Sequence, residues 1–264
     1  MPDDVYRIRT SRPVLWRTPS SVQVGVDDPP LVVENIPDRA APLLHALQSG
    51  VSTDGFELLA QQLRVPLSSA HHLAKSFSPA FHTDPSEPKP RFIVTGPGVA
   101  RRIVADTLRS WGFVATLASH PRPSQSKAIH LLVADYVIDP QWLPRYGAGR
   151  SRHLPLVFSD RSITAGPLIT PGSTPCLSCR ELFLRENNPH WLALGSQLWG
   201  TSAPTSTEPL ARLSAVLVAM SVGRIQIPPL TKPTTPPIVR FSPESGTLSA
   251  ELPTFHPDCR CRGL

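Results

Sequence analysis

The first eighty residues carry two kinds of hydrophobic pattern in succession. Residues 13–35 hold short β-rich runs separated by polar and Asp-Asp-Pro-Pro segments, which predicts a small antiparallel ribbon. Helical patterns follow at residues 37–48, 54–63 and 67–77, and in the first two the leucines recur on one face. Strands followed by three short helices are typical of a winged-helix-like α+β module.

A polar, proline-rich segment ends this module. It reads His-Thr-Asp-Pro-Ser-Glu-Pro-Lys-Pro from His82 to Pro90, a composition that is typical of linkers. The sequence therefore predicts a winged-helix-like module over residues 1–82, a linker over residues 83–90 and a second domain over residues 91–264.

The pattern changes to alternating strands and helices after the linker. A short apolar run at residues 92–94 is followed by a helical pattern that ends at Gly112 and by a second apolar run at residues 113–117. Further buried runs lie at residues 129–134 and 154–158. This order predicts an α/β domain of the Rossmann type, with a parallel sheet.

The first strand-to-helix turn of this domain is a candidate phosphate site. It reads Thr95-Gly96-Pro97-Gly98, and such a turn directs backbone N–H groups and a helix N-terminus toward a phosphate. The glycines also have a structural explanation, because a tight turn needs them for its backbone angles whether or not a nucleotide binds. Pro97 also removes one of the donors that a phosphate would use.

Acidic residues follow two of the predicted strands. Asp135 ends the buried run at residues 129–134, where the carboxyl ends of parallel strands face a ligand crevice. Capping of the next turn is the alternative role for Asp135, and it is the simpler one for Asp139 and Asp160. No acid lies between Leu117 and Asp135, where a dinucleotide-binding fold carries its ribose-binding acid, and this argues against a dinucleotide.

The last third of the chain predicts one long helix and a hairpin. Residues 204–222 hold the longest apolar helical pattern, which is most simply a core helix. A proline-rich connection leads to two β-rich runs at residues 238–241 and 246–248, which predict a hairpin before the C-terminus.

The cysteines provide the strongest chemical signal in the sequence. The chain has four, arranged as Cys176-x2-Cys179 and Cys259-x-Cys261. Two close pairs supply the four thiolates that a tetrahedral Zn²⁺ site prefers, and such a site would clamp the C-terminus to the middle of the chain. His256 is a candidate substitute ligand. Disulfides and buried thiols without a metal are the alternatives.

Composition and charge bear on whether the partner is a peptide or protein, a nucleic acid or a membrane. The chain has 264 residues, 32 prolines and a formal net charge of +6, with its basic residues scattered through loops. The third predicted helix carries one lysine and no arginine, which favours a peptide or protein partner over nucleic acid. No leader pattern or membrane-length apolar run occurs, so we expect a cytoplasmic protein that does not enter membranes.

The segment Gly166-Pro167-Leu168-Ile169, followed by Pro-Gly-Ser-Thr-Pro-Cys-Leu-Ser-Cys up to Cys179, resembles the ThiF/E1-like superfamily. In that superfamily a Rossmann domain adenylates the C-terminus of a carrier protein, and a four-cysteine zinc site holds the tail of the domain. Together with the N-terminal module, the chain looks most like actinobacterial cyclodehydratase-like, leader-peptide-binding (TOMM-type) proteins. In these proteins a winged-helix-like peptide clamp precedes a degenerate E1-like domain.

The resemblance assigns roles to particular residues. Gly96 and Gly98 match the glycines of the phosphate turn, and Asp135 matches the acid that meets the Mg²⁺-bound ATP in active members. The zinc ligands of the family match Cys176, Cys179, Cys259 and Cys261.

Other groups that the family uses for catalysis are missing from this sequence. The ribose acid is absent, and no Asn-Leu-x-Arg-Gln-like segment supplies the arginine that steadies the triphosphate; Arg122 and Lys127 are loose stand-ins. If zinc takes all four cysteines, no thiol remains as a nucleophile.

We therefore expect a non-catalytic E1-like scaffold that binds a peptide or protein partner, with no catalytic residues of its own. The alternative is an ATP-dependent adenylyltransferase that activates the C-terminus of a small carrier or ubiquitin-like protein. Either function is compatible with a homodimer.

Overall fold

A computed structural model of the chain describes most of its residues and divides them into two compact units, Met1–Pro88 and Lys89–Leu264. Each unit has its own hydrophobic core. The residues that the structure describes are 5–8, 13–27, 29, 31–81, 89–120, 127–147, 151–223 and 235–263.

The N-terminal unit is a mixed α+β fold with two small antiparallel sheets. Strands β2, β3 and β4 form one sheet in that order, and β1 pairs with β5 in the other. Helices α1 to α3 follow β4 and share one buried core with the three-stranded sheet. The elements are β1 Val5–Tyr6, β2 Val14–Thr18, β3 Ser21–Val24, β4 Leu31–Val33, α1 Ala41–Ser49, β5 Val51–Ser52, α2 Thr53–Gln62, α3 Leu67–Ser76 and α4 Ser78–Phe81.

Local sequence signals account for the ends of these helices. The Ser52 side chain accepts a hydrogen bond from the Gly55 N–H at 3.2 Å and caps α2. Gly50 ends α1 with a φ of 94°, which a residue with a Cβ rarely adopts. The predicted start of α1 near residue 37 was wrong, because the chain turns there, with Arg39 at a φ of 67°, and the helix begins at Ala41.

The C-terminal unit is built on one seven-stranded sheet, in the order β12-β11-β10-β9-β8-β6-β7. Strands β7, β6, β8 and β9 are parallel, and β10, β11 and β12 extend the sheet in antiparallel fashion. Its elements are β6 Arg91–Thr95, α5 Ala100–Ser110, β7 Val114–Leu117, β8 Ile129–Asp135, α6 Trp142–Gly147, β9 His153–Phe158, β10 Ile163–Ala165, α7 Leu177–Asn187, α8 Trp191–Leu198, α9 Glu208–Ser221, β11 Ile238–Ser242, β12 Thr247–Glu251 and a 3-10 turn at Arg260–Gly263.

Helices cover both faces of this sheet, as the continuous apolar character of its central strands requires. Strand β8 sends Ile129, Leu131 and Val133 into a core shared with α5 and α9. Its alternate residues, Leu132 and Ala134, enter a second core with α6 and α7. The predicted α/β architecture with a parallel, Rossmann-like half is confirmed. Among the described helices, none is long and apolar enough to cross a membrane.

Candidate functional site

The four cysteines lie together in the C-terminal unit. Cys176 immediately precedes α7 and Cys179 lies in its first turn, while Cys259 and Cys261 lie at and within the C-terminal 3-10 turn. All four Sγ atoms are within 4.8 Å of one another. Among the described residues, no other group of three or more His, Cys, Asp or Glu side chains is close enough to hold a metal ion.

The spacing of the sulfur atoms fits a tetrahedral metal centre. Sγ of Cys176 is 3.7 Å from that of Cys259, and Sγ of Cys179 is 3.5 Å from that of Cys261. Zinc–thiolate bonds of about 2.3 Å in a tetrahedron place the sulfurs about 3.8 Å apart. A disulfide would bring two of them to about 2 Å. The thiols are free in the structure, so a four-thiolate metal centre suits this cluster better than a disulfide does.

The thiols of the cluster differ in acidity. Burial raises the pKa of Cys176, but hydrogen bonds from the Cys179 backbone and from Cys259 and Cys261 outweigh it, so the pKa lies below its usual value. Burial raises the pKa of Cys259 and Cys261 above the usual value. A bound metal would displace the protons of the thiols that ligate it.

His256 lies outside the cysteine cluster, although the sequence left it open as a ligand. Its Nδ1 accepts a hydrogen bond from the Asp258 N–H at 3.1 Å, and its Nε2 is 3.5 Å from Glu186 Oε2. Its ring packs edge-on against Phe183, with 4.7 Å between centroids. The Cys259 N–H donates to the His256 carbonyl at 3.1 Å. His256 therefore stabilises, through these backbone hydrogen bonds, the turn that carries Cys259.

A cavity of about 360 Å³ opens at the carboxyl ends of β6 and β8. This is the edge where Rossmann-like sheets bind their ligands. It is formed by four segments: the turn after β6, the residues that follow β7, the end of β8 with its loop, and the segment after α8. The lining includes Gly96, Gly98, Ser119, His120, Asp135, Asp139, Trp142, Trp199 and Thr201.

The two glycines of the predicted phosphate turn line this cavity for different reasons. A Cβ at Gly96 would collide with the backbone carbonyl of Val133, so glycine is needed there for the close approach of β6 and β8. At Gly98 a Cβ would meet nothing within 4 Å, and the φ of +68° is what favours glycine. Gly96 is therefore required for the packing of β6 against β8, whereas the space beside Gly98 is open.

Asp135 lies at the cavity wall, and its partners come from a distant segment. Its carboxylate accepts hydrogen bonds from the Ser206 side chain and the Ala203 backbone. Its Oδ1 atom is buried and has no hydrogen-bond partner among the residues that the structure describes. Burial raises the pKa of Asp135, an effect that the two hydrogen bonds oppose. Asp135 thus keeps one oxygen unpaired and does not cap its own loop.

The other two acids act as local caps, as the simpler alternative predicted. Asp139 Oδ1 accepts from the Gln141 N–H at 2.8 Å, at the start of α6. Asp160 Oδ1 accepts from Ser159 Oγ at 3.0 Å and from the Arg161 N–H at 3.1 Å. Asp139 also lines the cavity, and Asp160 does not.

The cavity lacks cationic side chains among its described lining residues. Arg101, at the start of α5, donates to the Ala118 carbonyl at 3.1 Å instead of facing the cavity. Lys127 is exposed and lies outside the lining, and Arg122 falls outside the described residues. Nothing in the described part of the site therefore supports a role for Arg122 or Lys127 in place of a phosphate-binding arginine.

A second concave surface lies in the N-terminal unit, between β4 and α3. It has a volume of about 220 Å³. Val33, Ile36 and Leu73 give it an apolar floor, and Ser69 and His72 lie on the α3 side. Within the described residues β4 pairs only with β3, so the other edge of β4 is open.

A buried polar group in the C-terminal unit was not foreseen from the sequence. Tyr146 Oη is 3.0 Å from His130 Nδ1, and His153 Nδ1 donates to the Ser151 carbonyl at 2.9 Å. The Nε2 atoms of both histidines are buried, and neither has a hydrogen-bond partner in the described part of the chain. Burial lowers the pKa of His130 and that of His153, the latter to about 4. The pairing of β8 with β9 places His130 opposite His153, and α6 adds Tyr146, so no local pattern signals the group.

Comparison with known proteins gives structural matches alone. No protein-family model and no curated protein sequence matches the chain. A heterocyclase in complex with substrate and cofactor superposes with a TM-score of 0.67 at 12% identity, covering 97% of this chain and 39% of that one. The heterocyclase TruD gives 0.66 at 15% identity, covering 98% and 43%.

A third similar structure matches over its whole length. The microcin C7 biosynthetic enzyme MccB, in complex with N-formylated MccA, gives a TM-score of 0.63 at 13% identity and covers 98% of this chain and 100% of that one. The chain spans about two fifths of the heterocyclases and the full length of MccB. The fold is thus similar to that of the two heterocyclases and of MccB, in line with the resemblance seen in the sequence.

Proposed function

We propose that this chain is a non-catalytic E1-like scaffold that binds a peptide or protein partner, as in peptide-modifying cyclodehydratase systems. The observation that carries the proposal is the open edge of β4 beside the groove against α3. The proposed zinc-binding domain and the strand-end cavity supply the scaffold part, and the N-terminal module supplies the binding part.

The groove has the features that recognition by strand addition requires. The open edge of β4 presents backbone N–H and C=O groups to an incoming extended segment. The apolar floor of Val33, Ile36 and Leu73 would receive alternate side chains of that segment. Glu34 lies at the groove, and no lysine or arginine is among its described lining residues. A peptide suits this surface better than a nucleic acid does, because a phosphate backbone needs cations.

The similar structures support a peptide partner. MccB was solved with MccA and with N-formylated MccA, and a heterocyclase was solved with its substrate. The E. coli microcin synthetase McbBCD complex, with a TM-score of 0.51, was solved with pro-MccB17 bound. By analogy, the partner of this chain is a peptide that another protein modifies.

The lack of cations around the strand-end cavity supports the non-catalytic part of the proposal. Adenylation develops negative charge on the phosphoryl groups, and enzymes stabilise it with cationic side chains and Mg²⁺. The described lining offers Asp135, Asp139 and His120, but no lysine or arginine.

A structural zinc in the cysteine cluster completes the scaffold. Cys176, Cys179, Cys259 and Cys261 would hold it, and it would tie the C-terminal segment to α7. With all four thiolates bound to the metal, the chain keeps no free cysteine for thioester chemistry.

A blocking substitution tests the peptide groove. The probe is a fluorescently labelled peptide substrate encoded beside the gene, and the measurement is its fluorescence anisotropy. We expect Ser69→Tyr, which fills the groove from α3, to weaken binding at least about tenfold. Lys75→Tyr on the exposed part of the same helix, outside the groove, is the matched control. Equal affinity of both variants would remove the groove from the proposal.

The alternative function is an ATP-dependent adenylyltransferase. The structure of E. coli MccB with ATP matches 97% of this chain with a TM-score of 0.62, and Gly98 and Asp135 line the strand-end cavity of this chain. This observation keeps adenylation as the second candidate, and ATP–pyrophosphate exchange decides between the two functions.

A further inference from the structure

We propose that the cavity at the carboxyl ends of β6 and β8 binds a small organic cation, a primary ammonium or a guanidinium, between the carboxylates of Asp135 and Asp139 and the indoles of Trp142 and Trp199. This inference goes beyond peptide binding, and it does not depend on it. The cavity lies wholly within the C-terminal unit, whereas the peptide groove lies in the N-terminal unit.

Charge is the first reason. The described lining carries two carboxylates and no lysine or arginine. A triphosphate would meet like charge there, whereas an organic cation would meet charge of opposite sign. The negative charge of the cavity lining thus disfavours a nucleotide, the ligand that the position of the cavity in a Rossmann-like fold suggests.

The state of the two carboxylates is the second reason. Asp135 lines the cavity, and burial raises the pKa of its carboxyl group. Burial thus disfavours the charged form of Asp135, and a cation in the cavity would offset that cost. Asp139 uses Oδ1 to cap α6, so its second oxygen remains for a ligand.

The aromatic walls are the third reason. Trp142 is 7% exposed and Trp199 is 51% exposed, so one indole is fixed in the core and the other stands at the open side. Indole faces attract ammonium and guanidinium groups through their π electrons. A volume of about 360 Å³ accommodates a small organic molecule.

A metal ion fits the lining of this cavity less well than an organic cation does. Asp135, Asp139 and His120 do not form a group close enough to hold a metal, whereas the four cysteines do. A hydrated Mg²⁺ would also gain little from two indoles, because it keeps its waters and binds oxygen ligands. An organic cation uses both the carboxylates and the aromatic walls.

The segment after α8 holds the site in shape. Asp135 receives hydrogen bonds from Ala203 and Ser206 of this segment. Thr205 Oγ1 between them donates to the Ser159 carbonyl at 2.6 Å, at the end of β9. The same segment begins with Trp199, so the aromatic wall and the partners of Asp135 are placed together.

Calorimetric titration of the full-length, zinc-loaded chain tests this inference. The probes are benzylamine and agmatine, which are cations at neutral pH. Benzyl alcohol is the neutral analogue of benzylamine. Mg²⁺ alone and Mg²⁺–ATP are titrated separately, because they represent the two other ligand classes for this cavity. The variants are Asp135→Asn, Trp199→Ala and, as a matched control outside the cavity, Asp160→Asn.

We expect both cations to bind and benzyl alcohol, Mg²⁺ and Mg²⁺–ATP not to bind. Asp135→Asn should weaken cation binding at least about tenfold, and Asp160→Asn should leave it unchanged. If Asp135→Asn fails to fold, the half-exposed Trp199→Ala gives the same test, with an expected loss of several-fold. Tighter binding of Mg²⁺–ATP than of the amines, equal binding of benzyl alcohol, or no binding of either cation would overturn the inference.

Discussion

Sγ of Cys179 lies 3.5 Å from Sγ of Cys261, although 82 residues separate them along the chain. Cys179 is fixed by the first turn of α7, and Cys261 by the C-terminal 3-10 turn. Both side chains are buried, and a bound metal would compensate two thiolates for the loss of hydration at this depth. This relationship is the basis of the first prediction.

Zinc removal should destabilise the C-terminal unit. Protein purified without chelator should carry close to one zinc per chain by elemental analysis. Cys176→Ser should lower both the zinc content and the melting temperature, because site formation and folding are coupled. Ser178→Ala, between the two ligands in α7, is the control that should keep its zinc. Metal-free protein of unchanged stability would remove the zinc from the scaffold.

Adenylation should be absent. We expect no ATP–pyrophosphate exchange above the enzyme-free background with candidate carrier peptides, because the described cavity lacks the cations that stabilise phosphoryl charge. The informative variant is Asp135→Ala. Robust exchange that this variant abolishes would contradict the scaffold and support the adenylyltransferase.

The two glycines of the turn after β6 should differ sharply under substitution. Gly98→Ala should cost about 1 kcal/mol of unfolding free energy, since only its positive φ resists a Cβ. Gly96→Ala should cost more than about 3 kcal/mol, because the new methyl group meets the Val133 carbonyl. Urea unfolding of both variants measures the difference. Equal costs would mean that β6 and β8 can separate locally without loss of packing.

Acid should destabilise the C-terminal unit through its buried histidines. The folded-state pKa of His153 is about 4, below the ordinary value of 6.5, so the unfolded chain takes up a proton first as the pH falls. The stability that neutral His153 provides is therefore complete above pH 6.5 and is lost between pH 6.5 and about pH 4. At 1.36 kcal/mol per pKa unit, this amounts to about 3 kcal/mol.

A substitution isolates this contribution. His153→Asn keeps a donor for the Ser151 carbonyl but does not titrate, so its unfolding free energy should fall less steeply over that pH range. His190→Asn, at an exposed position of the same unit, is the control. An unchanged slope in His153→Asn would place the acid sensitivity elsewhere, with His130 as the nearest candidate.

Patterns of local origin in the sequence predicted much of the fold. The β-branched runs became the parallel strands β6 to β9, and the apolar helical pattern near residue 210 became α9, because burial and periodicity act over a few residues. The cysteine cluster was predictable for a different reason: its chemistry restricts what four thiols can do.

Features that depend on tertiary contact were missed. Strand β10 has three residues and is defined only by its neighbours β9 and β11. The group of His130, Tyr146 and His153 forms because β8, β9 and α6 meet, and single histidines in a sequence give no sign of that. The partners of Asp135, from the segment after α8, were hidden for the same reason.

The link between the cysteine pairs has a consequence for how the unit comes apart. A metal at the cluster closes a ring of about 80 residues that contains α8, α9 and the hairpin of β11 and β12. While the metal stays bound, this cross-link would reduce the chain entropy gained on unfolding by about 4.5 kcal/mol, by loop-closure arithmetic developed for disulfides. In the hairpin, β11 pairs with β10, and the segment after β12 leads to the metal ligands Cys259 and Cys261. The hairpin therefore cannot separate fully from the sheet while the metal stays bound. Metal release would then be an early step of unfolding, and chelators would accelerate unfolding more than they slow refolding.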